Sequence, residues 1–352
     1  MDTGRLILDS KQKNFALFIL SCLGFIFSGV AHAQLGSIDG EWRSYASDAG
    51  STKYTELDQI YADNFEDLQI AWRWTSIDGD IELESIMGDA AEDISFGRLQ
   101  ATPLMINGVL YMITALNQAV ALDASTGELL WSFDPQAYLS GYSISPLGYH
   151  HRGVAYWSDN EEARILFATN DGYLFSLDAE DGDPDTAFAG GRIDLTEGIP
   201  RADRSALDYS GAVPLGTVSP AIVVGDVLVV NQITSNRPHY KERPPTFVRG
   251  YNIRSGELAW TFNTIPQAGE FGVETWQEES WRYTGNGGVW TQMSADLELG
   301  LVYLPTEAPT NDYYGGHRPG DNLFTQSVVA VDAATGDRVW HFQMIHHGLW
   351  DY

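Results

Sequence analysis

Few side chains in this sequence are placed to do chemistry on their own. Two adjacent histidine pairs, His150-His151 and His346-His347, suggest a transition-metal site. Neighbouring residues on a strand point to opposite faces, so neither pair alone makes a ligand set. The one cysteine, Cys22, sits in an apolar N-terminal run, and no Cys-x-x-Cys-His is present to attach haem. What remains is a carboxylate beside an indole at Trp350-Asp351, an arginine after the first histidine pair at Arg152, and Trp290 within Gly288-Val-Trp-Thr-Gln-Met-Ser-Ala-Asp296. An aspartate can take a proton, an arginine fork can pair with a carboxylate, and an indole can lie against a flat ring. Taken singly, they read equally as a turn aspartate, a surface arginine and a packing tryptophan. The elements that hold them must decide.

Those elements belong to a chain of 352 residues with 44% hydrophobic and 12% aromatic side chains, enough for a substantial core. Twenty basic residues against 48 acidic ones give a formal charge of −28, which argues against binding a phosphate backbone or an anionic membrane surface. At the N-terminus, Lys11 and Lys13 precede an apolar run from Phe15 to Val30 and then Ala31-His32-Ala33, the small-x-small pattern of a signal-peptidase site. The run is shorter than the roughly 20 residues a membrane span needs. A cleaved signal over residues 1–33 and a periplasmic domain over 34–352 are therefore expected; acylation of Cys22 is the weaker alternative. The exported chain would hold no disulfide, so packing must stabilise it.

The pattern of that packing is written in a repeat. Ala121-Leu-Asp-Ala-Ser-Thr-Gly-Glu-Leu-Leu-Trp131 recurs as Gly250-Tyr-Asn-Ile-Arg-Ser-Gly-Glu-Leu-Ala-Trp260 and as Ala330-Val-Asp-Ala-Ala-Thr-Gly-Asp-Arg-Val-Trp340. A degenerate fourth copy, Ser176-Leu-Asp-Ala-Glu-Asp-Gly182, keeps the turn and lacks the tryptophan. Each copy reads as strand, Asp/Asn-to-Gly turn, strand. A second hairpin template, Pro103-Leu-Met-Ile-Asn-Gly-Val-Leu-Tyr111, resembles Pro220-Ala-Ile-Val-Val-Gly-Asp-Val-Leu228. Two hairpins make a four-stranded blade. The turn residues Asp123, Asp178, Asn252 and Asp332 lie 55 to 80 residues apart, the spacing of propeller blades with variable loops. The fold expected is all-β, a β-propeller, with the closing tryptophans packed between blades and 266–286 a long excursion able to carry binding residues.

With the tryptophan-ended repeats, Tyr303-Leu-Pro305, Tyr313-Tyr-Gly-Gly-His-Arg-Pro-Gly320 and the closing His-His-x-Leu-Trp-Asp, the sequence resembles the pyrroloquinoline-quinone (PQQ) dehydrogenases. It is nearer the glucose-dehydrogenase branch than the methanol branch, from about Asp39 onward. The resemblance implies an eight-bladed quinoprotein propeller, of which four to five blades lie in this chain as the N-terminal part of a longer protein. It implies PQQ and Ca2+ as cofactors, oxidation of an alcohol or sugar hydroxyl, and transfer of electrons to a membrane quinone or cytochrome. By position it makes Asp351 the catalytic base and a metal ligand, Trp290 the floor beneath the quinone, and Arg152 the partner of a cofactor carboxylate. Gln100 and Thr217 align with polar cofactor contacts, though an ordinary blade hydrogen bond explains either equally well. Asn236 aligns with a metal ligand. Ser235 stands where relatives carry a carboxylate and Ala308 where the methanol branch has asparagine, which depletes the metal site of charge. The adjacent-cysteine disulfide that covers the quinone in the methanol branch cannot form here. In the glucose branch a histidine upstream of the arginine does this; Gly148 aligns there, beside Tyr149, His150 and His151.

Two other readings are compatible with the repeats: a non-catalytic propeller scaffold of the outer-membrane assembly type, and a relative that keeps the quinone but has lost the metal. A scaffold has no use for a Trp-Asp pair or an arginine at a cofactor position, so the enzyme is the leading expectation.

Overall fold

The computed structural model describes residues 36–350, except 95–97, 146, 160, 202–214, 235–239 and 312. The expected leader, residues 1–33 with Cys22, lies outside the described residues. Four antiparallel four-stranded sheets follow one another along the chain, each with its strands in simple sequence order. Blade 1 comprises β1 (Leu104–Ile106), β2 (Val109–Ile113), β3 (Ala119–Asp123) and β4 (Leu129–Phe133). Blade 2 comprises β5 (Ala155–Ser158), β6 (Ala163–Ala168), β7 (Tyr173–Asp178) and β8 (Arg192–Asp194). A two-stranded sheet of β9 (Leu215–Gly216) and β12 (Ile233–Thr234) flanks blade 3, which is β10 (Ile222–Val224), β11 (Val227–Val230), β13 (Phe247–Asn252) and β14 (Leu258–Asn263). Blade 4 is β15 (Ser294–Asp296), β16 (Leu301–Pro305), β17 (Ser327–Asp332) and β18 (Arg338–Gln343). The only α-helix among the described residues is the five-residue Leu83–Met87.

Local chemistry produces these hairpins. Asn107 and Gly108 both take positive φ, 51° and 78°, the left-handed pair that a two-residue turn between right-twisting strands requires. In the long repeat, the Asp123 carboxylate accepts the Ser125 and Thr126 N–H groups, at 2.9 and 2.8 Å, while Gly127 turns the chain at φ 74°. Asp332 does the same for Ala334 and Thr335. All three tryptophan-ended copies share one irregularity, a bulge after Ala121, Gly250 and Ala330, which places Trp131, Trp260 and Trp340 opposite those residues.

The core lies between blades rather than within them. Blades 1 and 2 bury Leu104, Ile113, Phe167 and Leu177 together; blades 2 and 3 bury Leu166, Leu174, Leu228 and Val230; blades 3 and 4 bury Val229, Val248, Val302 and Val329. The first strands meet, β5 against β10 and β10 against β15, so they face a common axis. The segment around residues 42–49 spans that axis, pairing Trp42 with Met105 in β1 and accepting the Ala295 N–H of β15 at the Ala49 carbonyl, 2.7 Å.

Trp131 and Trp260 pack between blades as expected, whereas Trp340 stays 42% exposed. Trp131 donates its indole N–H to the Ala179 carbonyl of the next blade at 3.0 Å, and Trp260 donates to Ala333 at 2.9 Å. Ahead of blade 1, Trp72 does the same to Ala124 at 3.1 Å. Each indole lies on a turn glycine, Gly127, Gly182 or Gly336, where a Cβ would come within 2.4 to 2.6 Å of the ring. The fourth junction differs. The turn after β7 runs into a single bridge, Leu177–Pro184, and the outer strand β8 forms only later. Asp185 bonds Ser176, the residue that corresponds to Ala121, and so takes the tryptophan's register position. It ion-pairs with the buried Arg164 at 3.0 Å, and Arg164 Nη1 donates to the Ile253 carbonyl at 2.7 Å. Ile253 corresponds to Ala124, Ala179 and Ala333, so a guanidinium fills the socket that an indole fills elsewhere.

Candidate cofactor site

The chain enters each blade at the axis through the residues just before its first strand, and the candidate site is built from those entry segments. Thr102, Arg152, Ser219 and Trp290 stand shortly before β1, β5, β10 and β15 respectively. Backbone bonds stitch neighbours together: Thr102 N–H to the Arg152 carbonyl at 2.9 Å, and Arg152 N–H to the Val218 carbonyl at 3.0 Å. Asn231 Nδ2 holds the Val289 carbonyl at 2.8 Å, while Ser219 Oγ donates to the Trp290 carbonyl at 2.7 Å. Gly288 makes this possible, because a Cβ there would lie 2.0 Å from the Gln232 carbonyl oxygen.

Arg152 and Trp290, far apart in sequence, are therefore neighbours. The guanidinium carbon sits 5.2 Å from the centre of the indole, and Trp290 keeps 39% of its surface exposed although its backbone is pinned. Arg152 Nη1 donates to Ser219 Oγ at 3.1 Å, with longer contacts of 3.4 Å to the Val218 and Trp290 carbonyls. Its Nε and Nη2 donate to nothing among the described residues, and no described carboxylate pairs with it. Half-burial lowers its pKa from the usual arginine value, and the nearby Tyr45 works against that shift. A guanidinium with two donors open, beside an exposed indole in a chain of charge −28, suits a planar ligand bearing a carboxylate. These residues fit the quinone.

The other expected residues lie as follows. Gln100 is half-buried, two residues before Thr102, and its side chain bonds no described residue. Thr217 is buried, its hydroxyl directed at the Ser219 carbonyl at 3.1 Å and Asn231 Oδ1 at 3.4 Å. Asn236, Ser235 and Asp351 lie outside the described residues. Among the described residues no three His, Cys, Asp or Glu side chains gather as a metal site. His150 and His151 are both buried beside Arg152, and burial lowers both pKa values, that of His151 from 6.5 to about 3. Sequence reasoning missed Ser219; a serine before a proline gives no signal of its own. A cavity of about 320 Å3 lies on the inner-strand side of the ring, lined by Tyr45, Val154, Tyr156, Pro220 and Met293, and it includes neither Arg152 nor Trp290.

The PQQ family model for the glucose/ethanol/alcohol dehydrogenase β-propeller domain matches residues 42–352, so the chain belongs to that quinoprotein family. It is 29% identical over 346 residues to quinoprotein glucose dehydrogenase A of Acinetobacter calcoaceticus, covering 91% of this chain and 40% of that protein. Quinohemoprotein alcohol dehydrogenase ADH IIB of Pseudomonas putida is also 29% identical, over 352 residues, covering 96% of this chain and 44% of that one. Among solved structures, quinohemoprotein alcohol dehydrogenase ADHIIG from Pseudomonas putida HK5 superposes with a TM-score of 0.69 at 26% identity, over 89% of this chain and 41% of that one. The chain thus spans roughly two-fifths of these relatives' length.

Proposed function

We propose that this chain is the quinone-holding part of an exported dehydrogenase that oxidises an alcohol or sugar hydroxyl to a carbonyl. The observation that carries the reading is Arg152, with two open donors and no described carboxylate partner, set against the exposed Trp290. The bound quinone would supply the acceptor for the two electrons removed with the substrate's hydrogen. Trp290 would support its plane, and Arg152 would pair with one of its carboxylates. Asp351, by its place in the Trp350-Asp351 motif, would take the hydroxyl proton, and with Asn236 would hold Ca2+. Electrons would pass to a membrane quinone or a cytochrome in the periplasm, where a cleaved leader over residues 1–33 would deliver the chain.

The test is dye reduction by the full-length gene product across sugars, polyols and simple alcohols, with PQQ and calcium each added or omitted. Turnover that needs both supports the reading. No turnover, together with no quenching of tryptophan fluorescence by PQQ, refutes it and favours the scaffold.

A further inference from the structure

We propose that Ser219 is a positioning residue that sets Arg152 relative to the Trp290 ring, and thereby fixes how the quinone's carboxylate end is received. The inference rests on the quinone-binding reading above.

Ser219 is 1% exposed, so it acts through its neighbours and not by touching a ligand. Its hydroxyl joins the Trp290 backbone to the Arg152 side chain: it donates to the Trp290 carbonyl at 2.7 Å and accepts from Arg152 Nη1 at 3.1 Å. The polarity is fixed, because a carbonyl can only accept and a guanidinium can only donate. The backbone that carries the hydroxyl is held on both sides. Thr217 Oγ1 donates to the Ser219 carbonyl at 3.1 Å, and the adjoining Val218 carbonyl takes the Arg152 N–H at 3.0 Å. One arginine nitrogen is spent on this joint, which leaves the Nε–Nη2 edge directed away from it.

Removing the hydroxyl strips the joint from both ends. Nη1 then keeps only the two carbonyl contacts at 3.4 Å, and the Trp290 carbonyl loses its shorter bond. The guanidinium could then swing on its flexible stem, and a bidentate contact loses strength when its fork is not preset.

The test is titration of the full-length chain with PQQ, followed by tryptophan quenching. Ser219→Ala is expected to weaken binding about tenfold, the scale of one buried hydrogen bond. Ser219→Cys, nearly isosteric and a poor acceptor, is expected to do the same, while Ser219→Thr keeps the hydroxyl and stays near wild type. In an Arg152→Gln background Ser219→Ala should change affinity by less than about twofold, because the joint has lost its other half. Wild-type affinity in both Ser219→Ala and Ser219→Cys would overturn the proposal. So would an equal loss in the Arg152→Gln background, which marks a general packing effect. Failure of the wild-type chain to bind PQQ would instead sink the underlying reading, and this inference with it.

Discussion

Arg152 meets its surroundings through one nitrogen, so its identity matters beyond its charge. Arg152→Lys keeps the charge but replaces the fork with a single ammonium, and we expect quinone affinity to fall by about 10- to 100-fold in a fluorescence titration, with little change in unfolding temperature. His151 makes the opposite kind of prediction. Its Nδ1 accepts the Gly153 N–H at 3.2 Å and burial holds its pKa near 3, whereas the unfolded chain protonates near 6.5. The unfolded state therefore binds the extra proton between these values. The stability that neutral His151 provides is complete above about pH 6.5 and is lost progressively as pH falls toward 3. Thermal unfolding at pH 7.5 and pH 5 should show this loss, and His151→Gln should flatten it. At this scale the sequence was informative only through resemblance. Arg152 and Trp290 are far apart in the chain, and nothing in their local patterns says that adjacent blade entries bring them together.

Among the elements, the repeating unit is the indole on a glycine. Gly336→Ala would set a Cβ 2.6 Å from Trp260 at a φ of 75°, and should cost about 1–3 kcal/mol. Gly300→Ala, at φ 66° with nothing within 4 Å, should cost only the backbone strain of about 1 kcal/mol. The difference between the two midpoints in chemical denaturation isolates the interblade contact. Arg164→Ala should cost more, about 3–5 kcal/mol, because it leaves Asp185 and the Ile253 carbonyl without their cation. Blades 1, 3 and 4 were legible because a tryptophan at fixed distance from an Asp/Asn-to-Gly turn is a pattern a reader can see. Blade 2 was legible only to its turn. Its lock is assembled from Arg164 on the second strand and Asp185 after the turn, and a pairing across strands leaves no periodic trace.

For the molecule as a whole, charge and surface govern. At −28 the folded chain repels itself, and ion pairs such as Arg254 with Asp159 at 2.7 Å face solvent. Raising sodium chloride from about 20 mM to about 300 mM should therefore raise the unfolding temperature, which differential scanning calorimetry can read directly. Trp340 is 42% exposed, whereas Trp131 and Trp260 are under a tenth exposed, because no described turn glycine lies against it. The length, composition and repeat spacing sufficed to predict the fold class. Beyond the closing tryptophans they did not show which aliphatic residues form the core between blades, since that depends on which face of each strand meets which neighbour.

The socket carbonyls of Ala124, Ala179, Ile253 and Ala333 have a bearing on descent. Each directly follows its turn aspartate or asparagine and accepts whatever donor the preceding segment presents, indole or guanidinium. A duplicated unit whose acceptor is backbone can lose its signature side chain by single substitutions, provided that another donor reaches the same oxygen first. The second copy is what such a history would leave behind: a repeat in three dimensions that has almost ceased to be one in sequence.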